Sequence, residues 1–225
     1  MKGGTMATHF QQELSELKEN LLQMAGLAER AISNAVEALV KRDTALAEKT
    51  IAEDDRINQK EILIDDMCLK LLALHQPMAA DLRFIASAMR INTELERIGD
   101  QAVNIAERVI SLSQEPQLKP YIDIPRMAEI SQSMVKDVLD AFVNGDAQLA
   151  RSVCERDDQV DALNDQVFRE LLTYMIADSK TISRAVHLII VSRCLERIAD
   201  HATNIAEGVI FMVKALVIKH HADIR

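Results

Sequence analysis

Apolar residues at Phe10, Leu14, Leu17, Leu21, Met24, Ala28, Ala31 and Ala35 alternate spacings of four and three. That is the stripe of a helix packed in a bundle, and it predicts a first helix from about Thr8 to Lys41 with Thr8 and Gln11 as a capping box. Asp43 is placed to cap a second helix reaching His75, where Pro77 stops it, and Asp81 opens a third. The third carries the stripe Phe84, Ala88, Ile91, Leu95, Ile98, Ala102, Ile105 and Val109, again alternating by four and three. Three such helices close one bundle.

Pro116, Pro120 and Pro125 then deny the chain helical hydrogen bonds, and the plan starts again. A fourth helix follows Asp123 to about Val143, the turn Asn144-Gly145-Asp146 caps a fifth, and Asp178 or Ser179 opens a sixth with the stripe Leu188, Val191, Leu195, Ile198, Ala202, Ile205 and Val209. The expected fold is all-α, two tandem pseudo-symmetric three-helix bundles made of six long helices. The expected division is a disordered N-terminus at 1–7, a first bundle at 8–112, a linker at 113–123, a second bundle at 124–219 and a tail at 220–225.

The halves also share sequence. LERIGDQAVNIAERVI begins at Leu95 and LERIADHATNIAEGVI at Leu195, one hundred residues later, with twelve of sixteen positions identical. Earlier in the repeat the offset is 103, pairing Asp43 with Asp146 and EDDRIN with ERDDQVD.

Composition removes several function classes. A net charge of -9 disfavours nucleic acid and anionic lipid, whose binding needs clustered Lys and Arg. Aromatic residues make up 3% and Trp is absent, which suits helices better than strands. The apolar stretch from Val209 to Ile218 is interrupted by Lys214 and is shorter than the roughly 20 residues that span a bilayer, so no membrane insertion and a cytoplasmic location are expected. Cys68, Cys154 and Cys194 are isolated in helical patterns and read as buried reduced thiols. No Gly-rich phosphate loop and no nucleophile with a recognisable base are present, so no enzyme activity is expected.

The polar positions carry the chemistry. Glu96, Asp100, Asn104 and Glu107 fall at i, i+4, i+8 and i+11, and at about 100° per residue they form one stripe opposite the apolar seam. Glu196, Asp200, Asn204 and Glu207 repeat it. Asp54 with Asn58, and Asp157 with Asp161, give the same spacing on the preceding helices, with Glu61, Asp65 and Asn164 on or near those faces. An acidic face opposite a seam is ordinarily just solvated, and Arg97 with Asp100, or Arg197 with Asp200, can pair along the helix. Like charges at i, i+4 nevertheless repel by roughly 0.2 to 0.5 kcal/mol, and a hard multivalent cation is a reason to keep four such pairs. The absence of paired His or Cys ligands points away from structural zinc and toward iron, manganese, magnesium or calcium. His201, next to Asp200, projects off the stripe and reads as a part-buried histidine. His75 reads as a helix-end residue.

LERIGDQAVNIAERV, CLERIADHATNIAEGV and QPMAADLRFIASAMRI resemble the PhoU family of phosphate-transport regulators, over about Thr8 to Lys219. The resemblance implies paired three-helix bundles in the cytoplasm bearing multinuclear metal clusters on their surfaces. It places the metal motif on Glu96, Asp100, Glu196, Asp200, Asp157, Asp161 and Asp54. Asn58 stands at the last position of that set and removes one negative charge. Iron is favoured, while manganese, magnesium, calcium and zinc stay open. The resemblance further implies a negative regulator of the phosphate-starvation response and of phosphate uptake, an adaptor between the phosphate transporter ATPase and a phosphate-sensing histidine kinase. A homodimer is expected, and Arg97 and Arg197 are candidate partner contacts. The rival readings are a carboxylate-bridged metalloenzyme acting on phosphate compounds and a purely structural dimerisation scaffold.

Overall fold

A computed structural model describes residues 3–216 of the chain, with the side chains of residues 9–216. The fold is two tandem three-helix bundles, built from α1 (Gly3–Lys41), α2 (Thr44–Glu53), α3 (Asp55–His75) and α4 (Ala79–Leu112) in the first half. The second half holds α5 (Asp123–Asn144), α6 (Ala147–Cys154), α7 (Asp157–Ala177), a short 3₁₀ turn at Ser179–Thr181 and α8 (Ile182–Lys214). No strand occurs among the described residues. The expected termini at 220–225 and the last residues of the second bundle lie outside the described part.

Several local expectations meet the structure directly. Asp43 caps α2 by accepting from the Leu46 amide, and Asp146 caps α6 by accepting from the amides of Gln148 and Leu149. Gly145 ends α5 in the left-handed region at φ 64°, as the Asn-Gly-Asp turn requires. Its counterpart Arg42 holds the same conformation at φ 57° without glycine's freedom. Arg42 instead uses its side chain, donating through Nη2 to the carbonyls of Leu112, at 3.0 Å, and Glu115, so it ties the end of α4. Thr8 is no cap, because α1 already runs from Gly3. Asp81 and Asp123 lie inside the first turns of α4 and α5, where a carboxylate still favours the dipole.

The long second and fifth helices are each broken. Between α2 and α3 the Asp54 amide bonds back to Ile51 and the Ile57 amide to Asp54. Between α6 and α7 the Arg156 amide bonds to Val153 and the Gln159 amide to Arg156. Each break is a turn tightened to i→i−3 bonding, without proline or glycine to announce it.

The apolar stripes bury as their period demands: Ala88, Ile91, Leu95, Ile98, Ala102 and Ile105 are fully buried, as are Leu188, Val191, Leu195 and Ile198. The two bundles do not stand apart, however. α4 packs most extensively on α8, so the two longest repeats form the centre of the molecule. Asn92, Gln101, Ser192, His201 and Thr203 are buried on these two helices although they lie off the stripes. Phe84 of α4 stacks on Phe142 of α5 across the halves, with ring centroids 5.5 Å apart and planes 16° from parallel.

Candidate functional site: two acidic faces and the joint between them

The helix breaks bring the first acidic face together. Asp54 sits at the α2–α3 break, Asn58 and Glu61 one and two turns along α3, and Glu96 and Asp100 on the neighbouring α4. Burial pushes the Asp54 carboxyl up, Asn58 pulls it back, and Asp100 and Asp55 push it further. Burial raises Glu96, reinforced by Asp100, Glu61 and Asp54 and opposed by Arg97. Burial raises Glu61 as well, with Asp65 and Asp100 adding to it. Asp54 Oδ1 is sealed from solvent with no hydrogen-bond partner, while Oδ2 accepts from Asn58 Nδ2 at 3.1 Å. Asn58 therefore turns its nitrogen, not the carbonyl expected of a ligand, toward Asp54. Asp65 accepts from buried Asn92 at 2.9 Å and is held against α4.

Close approach of these helices depends on Gly99. A Cβ there would stand 2.8 Å from Ile57 Cδ1 and 3.2 Å from Asp54 Oδ1. In the second half Ala199 replaces Gly99 and Val160 replaces Ile57. One methyl has moved from the broken helix to the central one, so each half keeps its volume.

The second face assembles from Asp157, buried at the start of α7, from Asp161, and from Glu196 and Asp200 on α8. Burial raises Glu196, joined by repulsion from Asp200 and Asp161 and opposed by Arg193 and Arg197. Burial raises Asp200 too, with Asp161 adding and His201 and Arg197 opposing. Asn164 accepts from buried Ser192 at 2.8 Å. Asp54, Glu61, Glu96 and Asp100 in the first half, and Asp161, Glu196 and Asp200 in the second, are thus brought within mutual electrostatic range.

The remaining sequence candidates divide. Asn104 is half-buried and Glu107 exposed, the latter accepting from neighbouring Arg108 at 2.9 Å. Asn204 leaves the acidic stripe altogether and donates to Glu94 Oε2 at 3.1 Å. Glu207 lies near the Cys154 thiol, which is half-buried and not buried as expected, and desolvation chiefly and then this charge push it up to about 11. Arg97 pairs with Glu94 at 3.4 Å, not with Asp100 as expected, because Glu94 lies one turn back on the same face. Arg197 is exposed and only moderates the charges of Glu196 and Asp200. All three cysteines are free, and burial drives Cys68 up to about 12 and Cys194 up to about 11, so they are unreactive thiols at neutral pH.

Sequence reasoning missed the joint between the faces. Glu94, one turn from Asp100's stripe, reaches across to α8, where His201 Nδ1 lies 2.7 Å from its Oε2. Burial would raise the Glu94 carboxyl, yet the bonds from His201 and Asn204, with the charges of His201 and Arg97, hold it below the usual range. The only signal was a glutamate and a histidine off the stripes, 107 residues apart. His75 stands at the end of α3 as expected, and it also touches Glu13 Oε2 at 2.6 Å and lies against Phe10, ring centroids 4.8 Å apart and planes 43° from parallel.

The donor set, carboxylate and amide oxygens alone, suits a hard cation. The orphaned Asp54 Oδ1 and the mutual repulsion of the carboxylates are what such an ion would relieve. Among the described residues, no three His, Cys, Asp or Glu side chains are already drawn into one ligating group. The chemistry fits, and the closed geometry is not preformed.

The PhoU domain family matches residues 21–109 and 124–209, one copy in each half. Over 92% of the chain and 94% of the relative, the sequence is 47% identical to a phosphate-specific transport system accessory protein PhoU homolog of Aquifex aeolicus. A homolog of the same name from Pseudomonas putida is 42% identical over 96% of the chain and 84% of its own length. The crystal structure of PhoU from Pseudomonas aeruginosa superposes with a TM-score of 0.89 at 43% identity, covering 92% of this chain and all of that one. The crystal structure of the phosphate transport system regulatory protein PhoU from Streptococcus pneumoniae gives 0.88 at 32% identity, over 94% of this chain and all of that one.

Proposed function

The chain belongs to the PhoU family, and from this premise we propose that it is a regulatory adaptor of phosphate-specific transport whose two acidic faces bind hard metal ions and dock partners. The observation that carries the reading is the repeated gathering of carboxylates on one outer face per half, with raised affinities for protons that a cation would displace. The relatives are named as accessory and regulatory proteins, and no step of catalysis is needed.

The residues that would hold metal are Asp54, Glu96 and Asp100 in the first half and Asp157, Asp161, Glu196 and Asp200 in the second. The ion would supply positive charge that draws partner carboxylates or phosphate oxygens to an otherwise acidic surface. Iron is the favoured ion. The proposed partners are the transporter's ATPase and a phosphate-sensing histidine kinase, bound in the cytoplasm by a homodimer. A negative effect on phosphate uptake and on the starvation response follows if the adaptor binds the inactive state of each partner more tightly, since only differential affinity shifts an equilibrium.

No described helix is long and apolar enough to cross a membrane. The test is binding of purified ATPase and kinase to the wild type and to Asp100→Asn/Asp200→Asn, with metal and with chelator. Weaker binding on chelation and in the variant supports the adaptor as drawn. Undiminished binding of both partners under chelation would leave an acidic recognition surface in which metal has no part.

A further inference from the structure

The α4–α8 joint has two ends that the internal repeat relates to each other. At one end Ser87 Oγ donates to the Gly208 carbonyl over 3.2 Å, beside the Phe84–Phe142 stack. Shifting those α4 and α8 positions by one hundred gives the other end, where His187 replaces Ser87, Arg108 replaces Gly208 and Arg184 replaces Phe84. An uncharged contact has become a pair of arginines with a histidine beside them, inside a protein of net charge -9.

That cluster is incompletely satisfied. Arg108 Nε, Arg184 Nε and His187 Nδ1 are each sealed from solvent with no hydrogen-bond partner. Burial, together with the Arg108 charge, pushes the His187 imidazole down, and Glu115 opposes this. Two carboxylates answer the cations: Glu107 at 2.9 Å from Arg108 Nη2, and Glu115 at 3.3 Å from Arg184 Nε, an ion pair without hydrogen-bond geometry. Arg184 Nη1 also donates to the Pro116 carbonyl at 2.9 Å, and Arg42 is committed to the end of α4. The glutamates are 47% and 46% exposed and the arginines 29% and 16%, so the acids can swing into solvent at little cost while the cations stay put.

Sealed nitrogens that no protein acceptor reaches with hydrogen-bond geometry are donors still in want of an acceptor. Donors arriving from two helices match the oxygens of a tetrahedral anion better than a planar carboxylate, and guanidinium forks pair with phosphate oxygens two at a time. We propose that this end of the α4–α8 joint binds a phosphate-class oxyanion through Arg108, Arg184 and His187, after Glu107 and Glu115 release them. The site borders the end of the first acidic stripe at Glu107 but uses none of the residues that would hold metal, and it stands whether or not those bind an ion. The anion is either free inorganic phosphate or the phosphoryl group of a larger molecule.

The test is calorimetric titration of inorganic phosphate, and separately of a phosphomonoester such as O-phosphoserine, into the chelator-treated full chain. The expected result is saturable binding of one anion per chain, weakened at least tenfold by Arg108→Gln and by His187→Gln and unchanged by Ser87→Ala at the uncharged end. Binding of inorganic phosphate alone identifies the free ion, and equal binding of both identifies a phosphoryl group. Because a variant can misfold, the Nε–H resonances of Arg108 and Arg184 in the unmodified protein provide a second readout and are expected to shift on titration. Asp100→Asn/Asp200→Asn is expected to bind the anion as the wild type does, which separates failure here from failure of the metal reading. No saturable binding of either anion, or binding unaltered in Arg108→Gln/His187→Gln, overturns the proposal.

Discussion

The two halves share their outer acidic stripe almost residue for residue and differ in what stands behind it. In the first half Asn58 donates to Asp54, and Gly99 lets the helix break press against α4. In the second, Asp161 adds a charge that raises both Glu196 and Asp200, and Ala199 with Val160 replaces the pair Gly99 and Ile57. At the joint the difference is sharper: Glu94 of the first half reaches His201 and Asn204, whereas its counterpart is Cys194, a buried thiol with no charge to offer at neutral pH. A repeated sequence has kept one surface twice and used the interior between the copies once. The first half supplies the acid of the joint and the second half its base.

The largest effect is expected at that joint. Glu94→Ala removes the acceptor for a buried histidine and an amide at once and should cost about 2–3 kcal/mol of unfolding free energy, measured by denaturant titration. Cys194→Ala, at the equivalent position, should cost about 1 kcal/mol through lost packing alone. Equal costs would erase the asymmetry drawn here.

The methyl exchange comes next. Gly99→Ala should destabilise by about 1–2 kcal/mol by pressing on Ile57, and adding Ile57→Val should recover most of the loss, since that pair copies Ala199 and Val160. A double variant no more stable than Gly99→Ala would show that the two positions do not compensate.

Neutralising the stripe should act in the opposite direction. In metal-free protein Asp200→Asn relieves Glu196 and should stabilise the fold by a few tenths of a kcal/mol after solvent screening, read as a slight rise in the thermal midpoint. Asp100→Asn should do the same for Asp54, Glu61 and Glu96. A fall in the midpoint of either variant would mean the carboxylates are structural ion-pair partners.

The smallest expected effect is on the pH profile. Asp54, Glu61, Glu96, Glu196 and Asp200 bind protons more tightly folded than unfolded, so their contribution is present below the ordinary carboxylate range and is lost as pH rises through their elevated values. Glu94 runs the other way, losing its contribution as pH falls through its lowered value. Metal-free wild type should therefore gain stability on mild acidification above the Glu94 transition, and Asp100→Asn/Asp200→Asn should flatten that gain.

The bundle plan was legible because local rules determine it. Period, the Asp43 and Asp146 caps and the glycine at 145 each act within a few residues. The acidic stripes were legible for the same reason. The breaks at Asp54 and at Glu155–Arg156 were not, since no proline or glycine marks them and only packing against α4 and α8 explains their place. The joint was hidden too: Gln101 and His201 are buried and polar, and on a helical wheel they stand on the flank of the apolar stripes, where the pattern alone predicts solvent. Composition cannot show that a second copy of the stripe will cover them.

The most direct measurement is elemental analysis of the purified chain, before and after exhaustive chelation, beside Asp100→Asn and Asp200→Asn singly. Near-stoichiometric hard metal that chelation removes, with each variant losing the share of its own half, is the predicted result. Metal-free protein that takes up no iron, manganese, magnesium or calcium on reconstitution would contradict the claim that the two acidic faces are built to hold an ion.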